Sequence, residues 1–222
     1  MLLAVDTSTR TIGLALYRED RVLHESSWIS QNYHTMQLAP AVQAAIEQAG
    51  EQVSSLEAVA VATGPGSFTG LRIGVAFAKG LALARRVPLI GIPSLDILAA
   101  AQIRQDLPMF ALLQAGRGRL AVQQYKVEKG NWRATGELEV LTAEALGEKV
   151  PAPAYVCGEL NEAERRSIRR GRRNVVVATP AWAIRRPALL AELAWKRLQA
   201  GSTDDPVALS PIYLHHGDPI AS

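Results

Sequence analysis

A single cysteine, Cys157, stands in 222 residues. One thiol excludes an internal disulfide and a cysteine-based zinc site. Set within Tyr155-Val156-Cys157-Gly158, it reads as a small buried hydrophobe. Aromatic residues make up only 5% of the chain. No apolar run reaches the ~18–20 residues that a membrane-spanning helix requires. The first residues carry neither a basic flank nor a cleavage-site pattern, so Leu2–Val5 is expected to be a first strand, not a signal peptide. These absences point to a cytoplasmic protein with no membrane association. What is plentiful is apolar matter: 48% of the residues are hydrophobic, enough for a real core and too much for wholesale disorder.

The net charge of +3 is unevenly spread. Residues 1–100 carry 7 basic and 8 acidic side chains, whereas residues 101–222 carry 17 and 13. The densest basic cluster is Arg165, Arg166, Arg169, Arg170, Arg172 and Arg173. Such a cluster is either a phosphate-binding patch or a solvated helix end, where cations suit the last turn. It contains no interleaved aromatic residue of the sort a stacking platform for single strands needs, which favours the solvated reading.

Periodicity divides the chain into two similar runs. Leu2–Asp6, Thr11–Tyr17 and Arg21–Trp28 read as a three-strand meander. Apolar Leu38, Val42, Ala45, Ile46 and Ala49 recur at helical spacing between Thr35 and Ala49, with Gly50 as a stop and Pro40 as a complication. A strand over Leu56–Ala62, a helix over Thr69–Arg86, a strand over Pro88–Ile92 and a helix from Pro93-Ser94 to about Ile103 follow. The pattern then restarts. Pro108–Leu113, Leu120–Val127 and Trp132–Leu141 read as strands and Thr142–Gly147 as a helix. Ala154–Cys157 is a strand, Asn161–Arg170 a helix, Val175–Ala178 a strand, and Pro180–Ala200 a helix with breaks. The repeated order suggests a duplicated α/β fold: a first lobe over 1–103, a second over 104–203, and a terminal segment over 204–222 that packs back through Pro211–Leu214.

The most informative stretch is Thr63-Gly64-Pro65-Gly66-Ser67-Phe68-Thr69-Gly70-Leu71-Arg72-Ile73-Gly74, at a strand-to-helix junction. Glycine there permits positive φ or close approach of another backbone or a ligand. It is not a Walker A loop, because no Gly-Lys-Ser/Thr closes it, and its G-x-G-x-x-x-G spacing is not the dinucleotide fingerprint. Gly66-Ser67-Phe68-Thr69-Gly70 does not keep the spacing of a nucleophile elbow either. Along the next helix, Gly70, Gly74, Ala78 and Ala82 form a small-residue row at four-residue spacing. Leu71, Val75, Phe77 and Leu81 supply more apolar surface than one face needs. Together with the Leu38/Val42/Ile46 helix, this predicts a helical partner surface over Leu38, Val42, Ile46, Gly70, Leu71, Gly74, Val75 and Ala78.

The glycine stretch, the opening Met1-Leu2-Leu3-Ala4-Val5-Asp6-Thr7-Ser8-Thr9 with Ile12–Tyr17, and His34-Thr35-Met36-Gln37-Leu38-Ala39-Pro40 occur in the order and spacing of one family. Over about residues 1–100, with an echo at Pro211-Ile212-Tyr213-Leu214, the chain closely resembles the TsaB (YeaZ) family. The resemblance implies the duplicated actin/Hsp70/sugar-kinase-like fold. It also implies a place beside the TsaD enzyme in making threonylcarbamoyladenosine next to the anticodon of tRNAs that read codons beginning with A. TsaD is the implied partner, TsaE a further one in a ternary complex, and self-pairing through the N-terminal helices is implied for the chain alone. Contact with tRNA would then be indirect.

In that fold, Asp6-Thr7-Ser8 is the first phosphate loop, where an aspartate can hold Mg²⁺ through water; the plainer reading is a capped β-turn. A second loop is expected at Leu113-Gln114-Ala115-Gly116-Arg117-Gly118-Arg119. Relatives begin it with Asp-Ala-Arg, and here Gln114 removes the carboxylate. The residues therefore suggest a vestigial nucleotide site and no catalytic residue. The histidines are His24, His34, His215 and His216. None forms the His-x-x-x-His pair of TsaD, whose spacing would put two imidazoles on one helix face, so no metal site is expected and a metallopeptidase is disfavoured. The rival reading is an ATP-dependent phosphoryl or carbamoyl transferase that uses Asp6, the glycine loop and Gly116–Arg119.

Overall fold

The computed structural model describes residues 1–30, 34–170 and 174–214. Its first half contains β1 (Leu2–Asp6), β2 (Thr11–Arg18), β3 (Arg21–Ile29), α1 (His34–Gln48), β4 (Ala58–Gly64), α2 (Phe68–Arg85), β5 (Leu89–Pro93) and α3 (Ser94–Ala100). The second contains β6 (Met109–Gly116), β7 (Arg119–Glu128), β8 (Asn131–Thr142), α4 (Ala143–Lys149), β9 (Ala154–Gly158), α5 (Glu162–Arg169), β10 (Val175–Val177) and α6 (Pro187–Gln199). Short 3₁₀ turns at Val53–Ser55 and Pro180–Trp182 complete the order.

The two halves share one topology. The first sheet runs β3-β2-β1-β4-β5 and the second, read from its far edge, β8-β7-β6-β9-β10. In each, a meander supplies three antiparallel strands, and two further strands add in parallel beside the first of them. Parallel strands must bury both faces, and β1 does so by simple alternation. Leu3 and Val5 point into a cluster with Leu38, Val42 and Ile46 of α1. Leu2 and Ala4 point the other way, against Leu190, Ala191 and Ala194 of α6.

The halves exchange their last helices. Helix α6, from the second half of the sequence, covers the first sheet. Leu95, Leu98 and Ala99 of α3, from the first half, pack with Met109, Ala111 and Leu113 of the second. Helix α6 thus belongs with the first sheet in space, although it lies within the 104–203 run of the sequence. So do residues 204–214, which run back over it. Asp204 pairs with Leu89 as an isolated bridge on the edge strand β5, and the Ile212 N–H donates to the Thr63 carbonyl at 2.7 Å.

Most element ends fall within a few residues of the sequence reading. Helix α1 runs through Pro40, which lies on the exposed side of the helix, where the lost backbone donor costs least. The expected helix over Pro180–Ala200 is interrupted. A turn at Pro180–Trp182 gives way to a loop, and Pro187 opens α6 at its first position, where a missing N–H is tolerated. That loop holds Arg185 and Arg186.

Candidate functional site

The site lies at the carboxyl end of β1, where β1 turns into β2. Asp6 closes the turn on itself: Oδ1 accepts from the Ser8 N–H at 2.8 Å and from the Ser8 hydroxyl at 2.5 Å. The turn packs directly on the glycine stretch. The Ser67 N–H donates to the Ser8 carbonyl at 2.6 Å, and the Thr7 hydroxyl donates to the Gly70 carbonyl at 2.7 Å. This contact explains the glycines. A Cβ on Gly66 would stand 2.1 Å from the Ser8 oxygen, one on Gly70 2.2 Å from the Thr7 oxygen, and one on Gly74 2.2 Å from Thr7 Oγ1. The glycine row thus seats the first loop inside the chain.

Across this loop lies Arg185, only 4% exposed. Its Nε donates to Asp6 Oδ2 at 2.7 Å, Nη1 to Glu159 Oε1 at 2.6 Å and Nη2 to the Thr9 hydroxyl at 2.7 Å. The Thr9 hydroxyl donates to Glu159 Oε1 at 2.9 Å, and the Thr9 carbonyl lies 3.0 Å from His34 Nε2. Burial alone would lower the guanidinium pKa, but the charges of Asp6 and Glu159 outweigh it and raise the value further. Arg185 is a permanent cation in contact with two carboxylates, one from each half of the fold.

The second loop is shaped differently from the first. Gly116, Arg117 and Gly118 all take positive φ in the tight β6–β7 turn. The Gln114 amide is engaged within the chain: it donates to the Glu159 carbonyl at 3.0 Å and to both Glu164 oxygens at 3.0 and 3.1 Å. Glu164 also closes the capping box of α5 with Asn161. Where a second acidic anchor would stand, this chain has a neutral donor that ties β6 to α5.

The eight residues read as a partner surface are all buried within the chain itself. Leu38, Val42 and Ile46 pack beneath β1, Val75 and Ala78 pack on β4 and β5, Leu71 sits under Gly64, and Gly70 and Gly74 hold Thr7. They face inward for a physical reason: in a helix packed on a sheet the longest apolar row is turned toward the sheet. The same two helices still leave an apolar seam. A groove of about 430 Å³ runs along it past Phe77 and Leu81, and a second of about 370 Å³ past Ile73 and Ala76. At its end Phe68 is 54% exposed. It lies 5.0 Å from the Tyr213 ring, with the Arg72 guanidinium 3.8 Å over its own ring.

The arginine cluster is largely tied down. Arg165 donates to the Ala178 carbonyl at 2.5 Å, Arg169 to the Val177 carbonyl at 3.2 Å, and Arg166 pairs with Glu162 at 3.0 Å. Arg172 and Arg173 lie outside the described residues, as do His215 and His216. His24 contacts Ser26 at 3.0 Å. Among the described residues no group of three His, Cys, Asp or Glu side chains is placed to hold a metal. Cys157 is buried, and burial pushes its thiol pKa upward. No helix among the described residues is long and apolar enough to cross a membrane.

Two sheets of identical order, each opened by an antiparallel meander, define the actin/Hsp70/sugar-kinase-like class of two-lobed α/β proteins. Within that class, the sequence pattern of the tRNA N6-adenosine threonylcarbamoyltransferase family, TsaD, matches residues 28–201. Solved structures narrow the relation. YeaZ from Pseudomonas aeruginosa is 26% identical with a TM-score of 0.76, covering 95% of this chain and 99% of that one. A protein from the same organism described as similar to peptidase YEAZ is 27% identical with a TM-score of 0.79, over 96% and 99%. The chain is 36% identical over 129 residues to the tRNA threonylcarbamoyladenosine biosynthesis protein TsaB of Bacillus subtilis, covering 58% of this chain and 56% of that one. It is 32% identical over 152 residues to TsaB of Escherichia coli, covering 67% and 65%. The chain belongs to the TsaB/YeaZ family. The aligned stretches span between about half and two thirds of those curated relatives.

Sequence reasoning missed Arg185, Glu159 and Glu164. The available signal was indirect: once Gln114 replaces the second carboxylate, Asp6 is left without the arrangement a metal–nucleotide clamp needs, and some other cation has to satisfy it.

Proposed function

We propose that this chain is a non-catalytic subunit of the machinery that transfers threonylcarbamoyl to N6 of the adenosine beside the tRNA anticodon. It binds TsaD through the α1–α2 seam and supports the partner's chemistry, with TsaE joining in a ternary complex. In the absence of TsaD the same seam joins two copies of the chain. The reading places it in the cytoplasm, with tRNA reached through the assembled complex. Curated relatives named for threonylcarbamoyladenosine biosynthesis support the pathway.

The single observation that carries the non-catalytic role is the Arg185–Asp6 ion pair. In an ATPase of this fold the first-loop aspartate faces a hydrated metal. Here its Oδ2 is taken by a buried guanidinium and its Oδ1 by Ser8. A Mg–nucleotide would have to displace a cation that cannot be deprotonated and strand Glu159 as well. With Gln114 in the second loop, the donor set does not fit the metal–nucleotide group. We therefore assign the chain no nucleotide cofactor of its own.

Titration calorimetry with Mg–ATP, alongside a modification assay with purified TsaD, tests the proposal. The expected result is no tight nucleotide binding by the chain alone and tRNA modification only when both proteins are present. Turnover of ATP by the isolated chain at ~1 s⁻¹ or more, abolished by Asp6→Ala, would contradict it.

A further inference from the structure

A cavity of about 720 Å³ lies away from the Asp6 loop, in the angle between α3, the β7–β8 hairpin and α6. We propose that this groove is a binding site for a small organic anion built on a flat apolar ring system. The proposal does not depend on the partner-subunit reading.

Its volume is in the range of small-molecule sites, which are mostly apolar with a few converging polar groups. The walls here combine an apolar side with a more polar rim than is usual. Leu189 and Leu193 of α6 face the groove from one side, and Trp132 lines it from the hairpin. The Trp132 indole N–H is held by the Gln102 carbonyl at 3.2 Å, which fixes the ring as a flat surface against which a ligand ring can lie.

The charges specify the sign of the ligand. Two cations at the groove are already spent: Lys196 pairs with Glu192 at 2.5 Å, and Arg197 pairs with Asp204 at 3.2 Å. The side chains of Arg104, which follows α3, and Arg133, on β8, make no ion pair or hydrogen bond among the described residues. Arg133 reaches the groove's one unpaired acid, Asp96, only through its electrostatic field. The Asp96 carboxylate is engaged by the Tyr125 hydroxyl at 2.6 Å, and burial raises its pKa. Two guanidiniums, one from the segment after α3 and one from β8, thus reach the groove with donors to spare. Guanidinium forks match carboxylate, sulfonate and phosphate geometry, and such a group is what the site lacks.

The test uses two dyes with the same apolar body. The first, 1-anilinonaphthalene-8-sulfonate, carries one anionic group; the second, N-phenyl-1-naphthylamine, carries none. Fluorescence titration of the intact chain is expected to show one saturable sulfonate site, at least ~10-fold tighter than for the neutral dye, the size of one charge-assisted contact. In the double variant Arg104→Gln/Arg133→Gln that difference disappears. Both arginines are exposed, so the fold should survive their replacement. Ala100→Trp, which fills the groove from α3, should block both dyes. Equal affinity for the two dyes, or a sulfonate preference that survives the double variant or Ala100→Trp, would overturn the proposal.

Discussion

Arg185 Nε stands 2.7 Å from Oδ2 of Asp6, and both side chains are at most 3% exposed. These residues are 179 positions apart in the chain. Through Glu159, which Arg185 also pairs with, the pair ties the β1–β2 loop to the residue that follows β9. A buried pair of this kind is weak evidence for added stability, because the desolvation cost is large. Its consequence is conditional: once it is built, neither partner can be removed alone.

Removing the cation alone leaves Asp6 and Glu159 facing each other without compensation. Arg185→Met should therefore cost about 3–5 kcal/mol, the usual penalty for breaking a buried pair. Asp6→Asn combined with Arg185→Met should recover part of that loss, because Asp6 is then neutral and only Glu159, whose side chain is 27% exposed, is left without its cation. Urea denaturation of the two variants measures both values. A loss below about 1 kcal/mol for Arg185→Met would mean that the pair is solvated.

The glycine stretch gives a second, sharper pair of variants. At Gly74 an added methyl meets the Thr7 hydroxyl oxygen, whereas at Gly70 it meets the Thr7 backbone carbonyl. Gly74→Ala should destabilise by roughly 1–3 kcal/mol, as overpacking does, and Thr7→Ala should relieve part of the loss. Gly70→Ala should be worse, with no relief from Thr7→Ala. Thermal melts of the four variants distinguish the cases; equal rescue at both positions would contradict the assigned contacts.

On the α1–α2 seam, burial separates folding from association. Leu38→Asp or Val75→Asp places a charge in the core and should unfold the chain. Phe77→Asp or Ile73→Asp changes half-buried groove residues. Either should leave the melt nearly unchanged while abolishing both self-association and TsaD binding on size-exclusion chromatography. Intact assemblies with Phe77→Asp would move the interface elsewhere.

Asp96 provides a pH test. Burial raises its pKa above the ordinary 3.8, against the opposing effects of the Tyr125 hydrogen bond and the Arg133 charge. A raised carboxyl pKa means that the folded state holds its proton more tightly than the unfolded chain. The associated stability is fully present below 3.8 and is lost as pH rises through the folded-state value. Asp96→Asn should flatten this part of the stability profile. A variant curve parallel to the wild type across that window would remove Asp96 from the account.

Much of the fold was legible because alternation and helical spacing are local. Leu2–Asp6, Thr11–Tyr17 and the glycine-loop helix could be placed from their neighbours alone, and the repeated order exposed the duplication. The crossing of α6 to the first sheet was not legible, because periodicity records that a helix has an apolar face and not which sheet receives it. The same limit affected the candidate site. Leu38, Val75 and Gly74 were visible as an apolar and small-residue face, but the receiving surface turned out to be β1, β4 and Thr7 of the same chain. Arg185 was hidden for another reason. A charged residue in a loop normally reads as solvated, and only three-dimensional proximity to Asp6 and Glu159 gives it a different role.

The central claim, that the cleft is an internal joint and the seam is the working surface, is tested most directly by one reconstituted assay. Threonylcarbamoyl transfer to tRNA is measured with purified TsaD plus wild-type chain, the folded Asp6→Asn/Arg185→Met variant, or Phe77→Asp. The account predicts near-wild-type modification with the double variant and loss of modification with Phe77→Asp. A double variant that folds and still binds TsaD but supports no modification would contradict it, by showing that the Asp6 cleft takes part in the chemistry.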